Sequence, residues 1–407
     1  MPRGRRLAAL ALVVGPGILA GLSDDDPAGI TTYSILGTDY GYRLLWVLLL
    51  STAALVVFHE LGARMGIATG QGLAGLIRER YGVRLAGMAL IGLLVANIGT
   101  MCAEFAGVAA SLQLAGISRY LTVPLAAAGV SYLVLRESFH RVERMLLALS
   151  AVFATYVVSG ILAKPDWGEA ARGLFVPSMP GTRDAILAAT ATVGTTLAPW
   201  GLAFIQSYVV DKRLRPPDLR LERVDVVTGA MMTGVIGLFV VVACAATLHA
   251  QGQSINDASD AAKALEPLAG NLASALFATG LLGAALLAAS ILPLSTSYSV
   301  AEAFGTEAAL DDPFREAHLF YGTFAVVVVI AAAVVLVPGA PLIPILYLSQ
   351  ALNAILLLPL LLFVAGISRD RDLMGAQVAS RAGFAVTCAV IALIAICVAA
   401  LGVATVI

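Results

Sequence analysis

Long apolar stretches joined by short charged segments dominate the chain, and a stretch of about 20 such residues suffices to cross roughly 30 Å of hydrocarbon as a helix. Eleven segments of this kind are predicted, at Leu7–Asp39, Leu44–Ile67, Leu85–Leu114, Leu121–Leu135, Met145–Ala163, Ala185–Val210, Val226–His249, Leu272–Ala301, Leu319–Val337, Leu342–Ala365 and Ala382–Val406. The expectation is an all-α integral membrane protein with one transporter domain over residues 1–407. Helices 1–5 fall at about 7–163, helices 6–10 at about 185–365, and an extra helix 11 at about 382–406.

Composition agrees. Of 407 residues, 59% are hydrophobic and 13% charged, with a mean hydropathy of +0.91, which excludes a water-soluble globule of this length. The net charge of -1 leaves no basic face for nucleic acid. Cys102, Cys244, Cys388 and Cys397 sit in apolar runs without metal-ligand spacing and read as small buried hydrophobes. Short cytoplasmic loops carry excess Lys and Arg, and one orientation collects most of them, including Arg3, Arg5, Arg6, Arg141, Arg144 and Arg315, on a single side. Arg43, Arg119, Lys164, Arg172, Arg183 and Lys263 are left on the other. This predicts a multi-pass plasma-membrane protein with a cytoplasmic N-terminus and an external C-terminus. The stretch Arg3–Gly21 also resembles a secretory signal, but everything after it is membrane-like.

Two segments contain interruptions. The first carries Asp24, Asp25, Asp26, Pro27, Ala28 and Gly29. Either Leu7–Leu22 is a complete span with the aspartates in an outer loop, or the helix breaks at Asp26–Gly29. The sixth is uncharged from Ala185 to Val210 yet interrupted by Ala198, Pro199, Trp200 and Gly201. As counterparts, the two breaks predict five-helix halves of opposite orientation, with a substrate site where the broken helices meet. Backbone groups freed inside hydrocarbon must line a polar cavity or coordinate something, and an intramembrane carboxylate marks a functional site. Asp26 is therefore the leading cation ligand, although Asp before Pro is also a good helix N-cap. Asp24 or Asp25 is a second candidate for that role, the main expectation for the pair being an acidic vestibule.

The runs Val14-Gly15-Pro16-Gly17 and Asp26-Pro27-Ala28-Gly29, the stretch from Tyr40 to Ser51, and Ala63 through Gly70 resemble the opening of the Nramp divalent-metal transporters. That resemblance implies a leucine-transporter-type 5+5 inverted repeat with helices 1 and 6 broken, carrying transition metals, usually with protons. It also implies metal-site positions at Asp26, Gly29, Ala198 and Gln350. At Gly29 the family has asparagine, at Ala198 methionine and at Trp200 histidine, while a second family histidine meets Ile205 and Gln206. Glu104 matches a family acid, and Met101 replaces another.

A thioether favours soft metals, so its loss at Ala198 hardens the site. Hydrated Mg²⁺, which sheds water reluctantly, becomes the expected cargo, with Mn²⁺ also admitted, as in a magnesium branch related to Nramp. None of His59, His140, His249 and His318 lies in the sixth segment, which suggests uncoupled, potential-driven import. A membrane potential supplies about 4.6 kcal/mol per dication per 100 mV. The alternatives are a proton-coupled Mn²⁺/Fe²⁺ symporter of the ordinary Nramp type and an organic-solute permease on the same fold. No intramembrane catalytic constellation points to an enzyme, and no cofactor or obligatory protein partner is expected beyond the metal and the bilayer.

Further pathway candidates are Asp25, Glu104, Trp200 and Asn353, each with an ordinary structural alternative. Gln350 and Asn353 share a helix face and could simply bond neighbouring helices. His59-Glu60 reads as local pairing with Arg64. Tyr33 is a weaker candidate, and the acidic stretch Glu302–Glu316 reads as a solvated loop.

Overall fold

The computed structural model describes residues 15–136, 154–256, 258–263, 270, 273–306 and 317–406, with no strand among them. The first apolar segment is two helices, α1 (Pro16–Ser23) and α2 (Pro27–Tyr40). α3 (Leu45–Thr69), the short α4 (Leu73–Tyr81), α5 (Val83–Gln113), α6 (Arg119–Arg136) and α7 (Ala154–Leu162) follow. After a short α8 (Trp167–Phe175), the sixth segment again divides, into α9 (Arg183–Thr196) and α10 (Pro199–Asp211). The chain ends with α11 (Leu219–Ala246), α12 (Ala273–Phe304), α13 (His318–Val335), α14 (Leu342–Ser368) and α15 (Arg381–Val406). Among the described residues eight helical spans, one of them α9 with α10, are long and apolar enough to cross a membrane unaided. Leu7, Met145, Leu272 and His140 lie outside the described residues, as do 307–316 of the acidic stretch and Arg3, Arg5, Arg6, Arg141, Arg144 and Arg315.

The interruption of the first segment is a true helix break, and its aspartates are not in an outer loop: Asp24, Asp25 and Asp26 expose only 1, 0 and 3% of their surface. Both halves of this broken helix lie on α11. Gly17 and Gly21 of α1 press against the backbone at Val226 and Gly229, leaving no room for a methyl group, the close approach that small residues permit between membrane helices. Asp225 Oδ2 accepts the amides of Gly15 and Gly17 at 3.1 and 2.6 Å. It thereby caps α1 from another helix and satisfies donors that hydrocarbon could not. Thr233 Oγ1 donates to the Gly21 carbonyl at 2.5 Å. Farther along, Gly37 of α2 packs on the Val241 carbonyl, and His249 Nδ1 meets the Thr38 carbonyl at 2.7 Å.

Several expectations are corrected. Cys102 and Cys244 are buried, but Cys388 is exposed and Cys397 half-buried, because both lie on α15, which packs at the periphery of the bundle. Glu302 is not in a solvated loop: it ends α12 and accepts a hydrogen bond from Ser207 of α10 at 2.5 Å. Glu60 does pair with Arg64, at 3.1 Å, and also with Arg223, at 2.7 Å. His59, one residue earlier and so turned about 100° away, points into the bundle. The short helices α4 and α8 carry no long apolar run and were not predicted.

Candidate metal site at the two helix breaks

The first break follows from Asp26-Pro27. Proline has no amide to donate and begins a helix readily, and Asp26 sits before it in an extended conformation (φ -68°, ψ 173°). Its Oδ1 accepts the Gly29 amide at 2.5 Å. Capping therefore fixes at the break the same carboxylate that the sequence singles out as a candidate cation ligand. The second break runs through Leu197 and Ala198, slightly earlier than the sequence suggests, because Pro199 starts α10 just as Pro27 starts α2. No side chain caps α10 at Ala198, so its electropositive first turn is open to a carboxylate.

Asp24 lies beside that turn, without hydrogen-bonding its amides. A methyl group in place of the Gly201 hydrogen would come within 3.3 Å of both Asp24 Oδ1 and His59 Nε2. His59 Nε2 stands 4.0 Å from Asp24 Oδ2, beyond hydrogen-bond range. The Glu104 carboxyl faces Asp26. Thr195 Oγ1, at the end of α9, borders the same point: a Cβ on Gly29 would lie 3.1 Å from it, 3.3 Å from Asp26 Oδ1 and 2.8 Å from the Asp24 carbonyl. Gly29 is thus kept small by the close approach of the two breaks.

Both carboxylate oxygens of Asp24 and Asp25, together with Thr195 Oγ1, His59 Nδ1 and Trp200 Nε1, are buried without a protein hydrogen-bond partner. Buried polar atoms are nearly always paired, so the unpaired oxygens of Asp24 and Thr195 beside Asp26 are open to a ligand. Trp200 contributes its carbonyl, which accepts from Ser295 Oγ at 2.7 Å. Tyr33 links the breaks through a 3.0 Å bond to Thr196.

Gln350 and Asn353 are engaged differently. Asn353 Nδ2 donates to Gln350 Oε1 at 3.0 Å and to Thr100 Oγ1 at 2.9 Å, and Gln350 Nε2 donates to Ser349 Oγ at 3.0 Å. Both polar ends of the Gln350 amide are occupied within this network. Ala198 is buried and offers only its carbonyl, which accepts from the Gly201 amide at 3.1 Å.

The donors that the breaks bring together are carboxylates, a hydroxyl and carbonyls, with His59 beside them and no sulfur. No group of three or more His, Cys, Asp or Glu side chains with metal-holding geometry occurs among the described residues. A cation here would therefore take its remaining ligands from hydroxyl, carbonyl or water oxygens, as hard divalent ions readily do. Thr195 and His59 were missed as site residues. A threonine in a run of threonines carries no signal, and nothing local distinguishes a histidine that meets a partner 35 positions away.

Comparison with known proteins bears on both fold and site. The family described as natural resistance-associated macrophage protein-like matches residues 17–404. The chain is 31% identical to the divalent metal cation transporter MntH of Deinococcus radiodurans, covering 97% of this chain and 89% of that one. It is 30% identical to MntH of Bacillus subtilis, covering 72% and 71%. The crystal structure of the Eremococcus coleocola manganese transporter with an aromatic bis-isothiourea compound superimposes with a TM-score of 0.78 at 19% identity, over 98% of this chain and 87% of that one. MhsT with L-phenylalanine gives 0.65 at 14% identity, over 96% and 98%. The architecture is accordingly the leucine-transporter-type fold, two five-helix halves each beginning with a broken helix.

Proposed function

The chain belongs to the Nramp family, and from that premise we propose that this multi-pass transporter moves divalent metal ions across a membrane by alternating access, with Mn²⁺ as its principal cargo. The observation that carries the reading is the meeting of the two helix breaks around Asp26, with Asp24, Asp25, Glu104 and Thr195 beside it. Broken helices of this fold bind substrate and ion where they interrupt, and buried carboxylates select for a cation. The relatives' names, a divalent metal cation transporter and a manganese transporter, favour Mn²⁺ over the Mg²⁺ preference that the hard donor set alone suggests. Mg²⁺ remains the second reading, supported by the absence of sulfur at Ala198, and an oxygen site admits both ions.

Coupling to protons belongs to the same proposal. Asp24, Asp25, Asp26 and Glu104 are buried together, and no Lys or Arg is buried among the described residues. One dication balances two carboxylates, so the other carboxyls are available to exchange protons as metal enters and leaves. This supports symport over the uncoupled uptake inferred from a histidine-free sixth helix. The positive-inside pattern supports a cytoplasmic N-terminus and inward transport.

The test is uptake into proteoliposomes carrying a metal-sensitive dye, with a pH dye in parallel. Mn²⁺ entry accompanied by acidification is expected. Mg²⁺ entry without acidification overturns the coupled reading in favour of a uniporter, and entry of neither ion removes the transport assignment.

A further inference from the structure

Asp24 and His59 lie beside Asp26 but are no part of the capping geometry that fixes it. Both are essentially buried, at 1% and 2% exposure, on separate helical elements, the first break and α3. Neither oxygen of Asp24 has a hydrogen-bond partner, nor does Nδ1 of His59. Glycine at 201 keeps open the point that both side chains face: any larger residue would put its Cβ 3.3 Å from Asp24 Oδ1 and from His59 Nε2 at once.

The separation is informative. At 4.0 Å the pair is too far apart for a direct hydrogen bond. With metal–ligand bonds of about 2.1 Å, one ion spans two such donors at an angle of about 145°. The first turn of α10, at Gly201, lies beside the Asp24 carboxylate and favours its negative charge. A carboxylate and an imidazole facing one gap also differ chemically from the oxygen donors around Asp26, because imidazole suits transition metals whereas Mg²⁺ prefers oxygen.

We propose that Asp24 and His59 form a second divalent-metal station beside Asp26, in which the His59 imidazole supplies the nitrogen donor that favours Mn²⁺ and other transition metals over Mg²⁺. The inference rests on the transport reading above and deepens it. The station contributes at position 59 part of the transition-metal preference that Ala198, lacking sulfur, cannot. A metal passing between Asp26 and Asp24 exchanges one carboxylate for the next without crossing bare hydrocarbon.

The experiment is electron spin-echo envelope modulation on the purified, Mn²⁺-loaded full chain, run beside Mn²⁺ and Mg²⁺ uptake. Wild type is expected to show ¹⁴N modulation from a coordinated imidazole, and His59→Gln to lose it. In uptake, His59→Gln is expected to raise KM about tenfold more for Mn²⁺ than for Mg²⁺. Gly201→Ala, which crowds the gap without altering either donor, is expected to weaken the nitrogen signal as well, so the test does not depend on one variant folding. Bound Mn²⁺ without nitrogen modulation in wild type, as a bridging water alone would give, overturns the station while leaving the transport reading intact. Modulation that persists in His59→Gln also overturns it. No bound Mn²⁺ at all overturns the transport reading, and this one with it.

Discussion

The hydroxyls of Tyr33 and Thr196 meet at 3.0 Å, joining the helix that follows the first break to the helix that precedes the second. Thr196 Oγ1 already donates to the Thr192 carbonyl at 2.8 Å, so Tyr33 is the donor and the bond has a fixed direction. It ties the two broken helices together directly.

Removing that tie tests whether the breaks act as one unit. Tyr33→Phe keeps the ring and loses only the donor, so a cost of about 1 kcal/mol is expected. It is read as a lower melting temperature in detergent, with reduced Mn²⁺ uptake at equal protein. An unchanged melt with unchanged uptake would show that the two halves do not depend on this bond.

Asp225 caps α1 from a different helix, and its loss should be felt at the amides it serves. For Asp225→Ala the expected cost is about 1 kcal/mol. Hydrogen exchange at Gly15 and Gly17 should accelerate while the middle of α5 stays protected. Uniform acceleration across the bundle would instead mean general unfolding, and no change would mean that α1 is held by its glycine packing alone.

Gly29 stands where the family has asparagine, yet a Cβ there would lie 2.8 Å from the Asp24 carbonyl. Gly29→Asn is therefore expected to lower thermal stability and slow transport even though it adds an oxygen ligand. Isothermal titration with Mn²⁺ should give weaker binding; tighter binding with intact stability would mean that the breaks separate easily to admit the side chain.

Ala198→Met introduces a thioether at a buried position of the second break. Since soft ligands select soft metals, Cd²⁺ should inhibit Mn²⁺ uptake at about tenfold lower concentration, equivalent to about 1.4 kcal/mol, with little change for Mg²⁺. Equal inhibition in both proteins would place Ala198 outside the metal's coordination shell.

Much of this was legible in the sequence. Apolar block length marked the spans, and prolines 27 and 199 marked both breaks, because a missing amide and a fixed φ act locally. What escaped was long-range. His59 meets Asp24 only after α3 folds against the first break, so its neighbour Glu60 suggested a surface pair for it. Gln350 and Asn353 could be assigned to one helix face, but not to the bond with Thr100 that occupies them. Glu302 looked solvated because its neighbours in sequence are acidic, whereas its partner Ser207 lies on another helix. Cys388 looked buried because its run is apolar, although lipid rather than protein covers an apolar face on a peripheral helix.

The central claim is that Asp26, held at the break by Pro27 and the Gly29 amide, is the carboxylate a transported dication must engage. Mn²⁺ flux into proteoliposomes measured for wild type and Asp26→Ala, at matched incorporation and with the folded state checked by size exclusion, tests it most directly. Flux in the variant is expected to fall to the level of empty liposomes. Flux within about twofold of wild type, less than 0.5 kcal/mol of effect, would contradict the account.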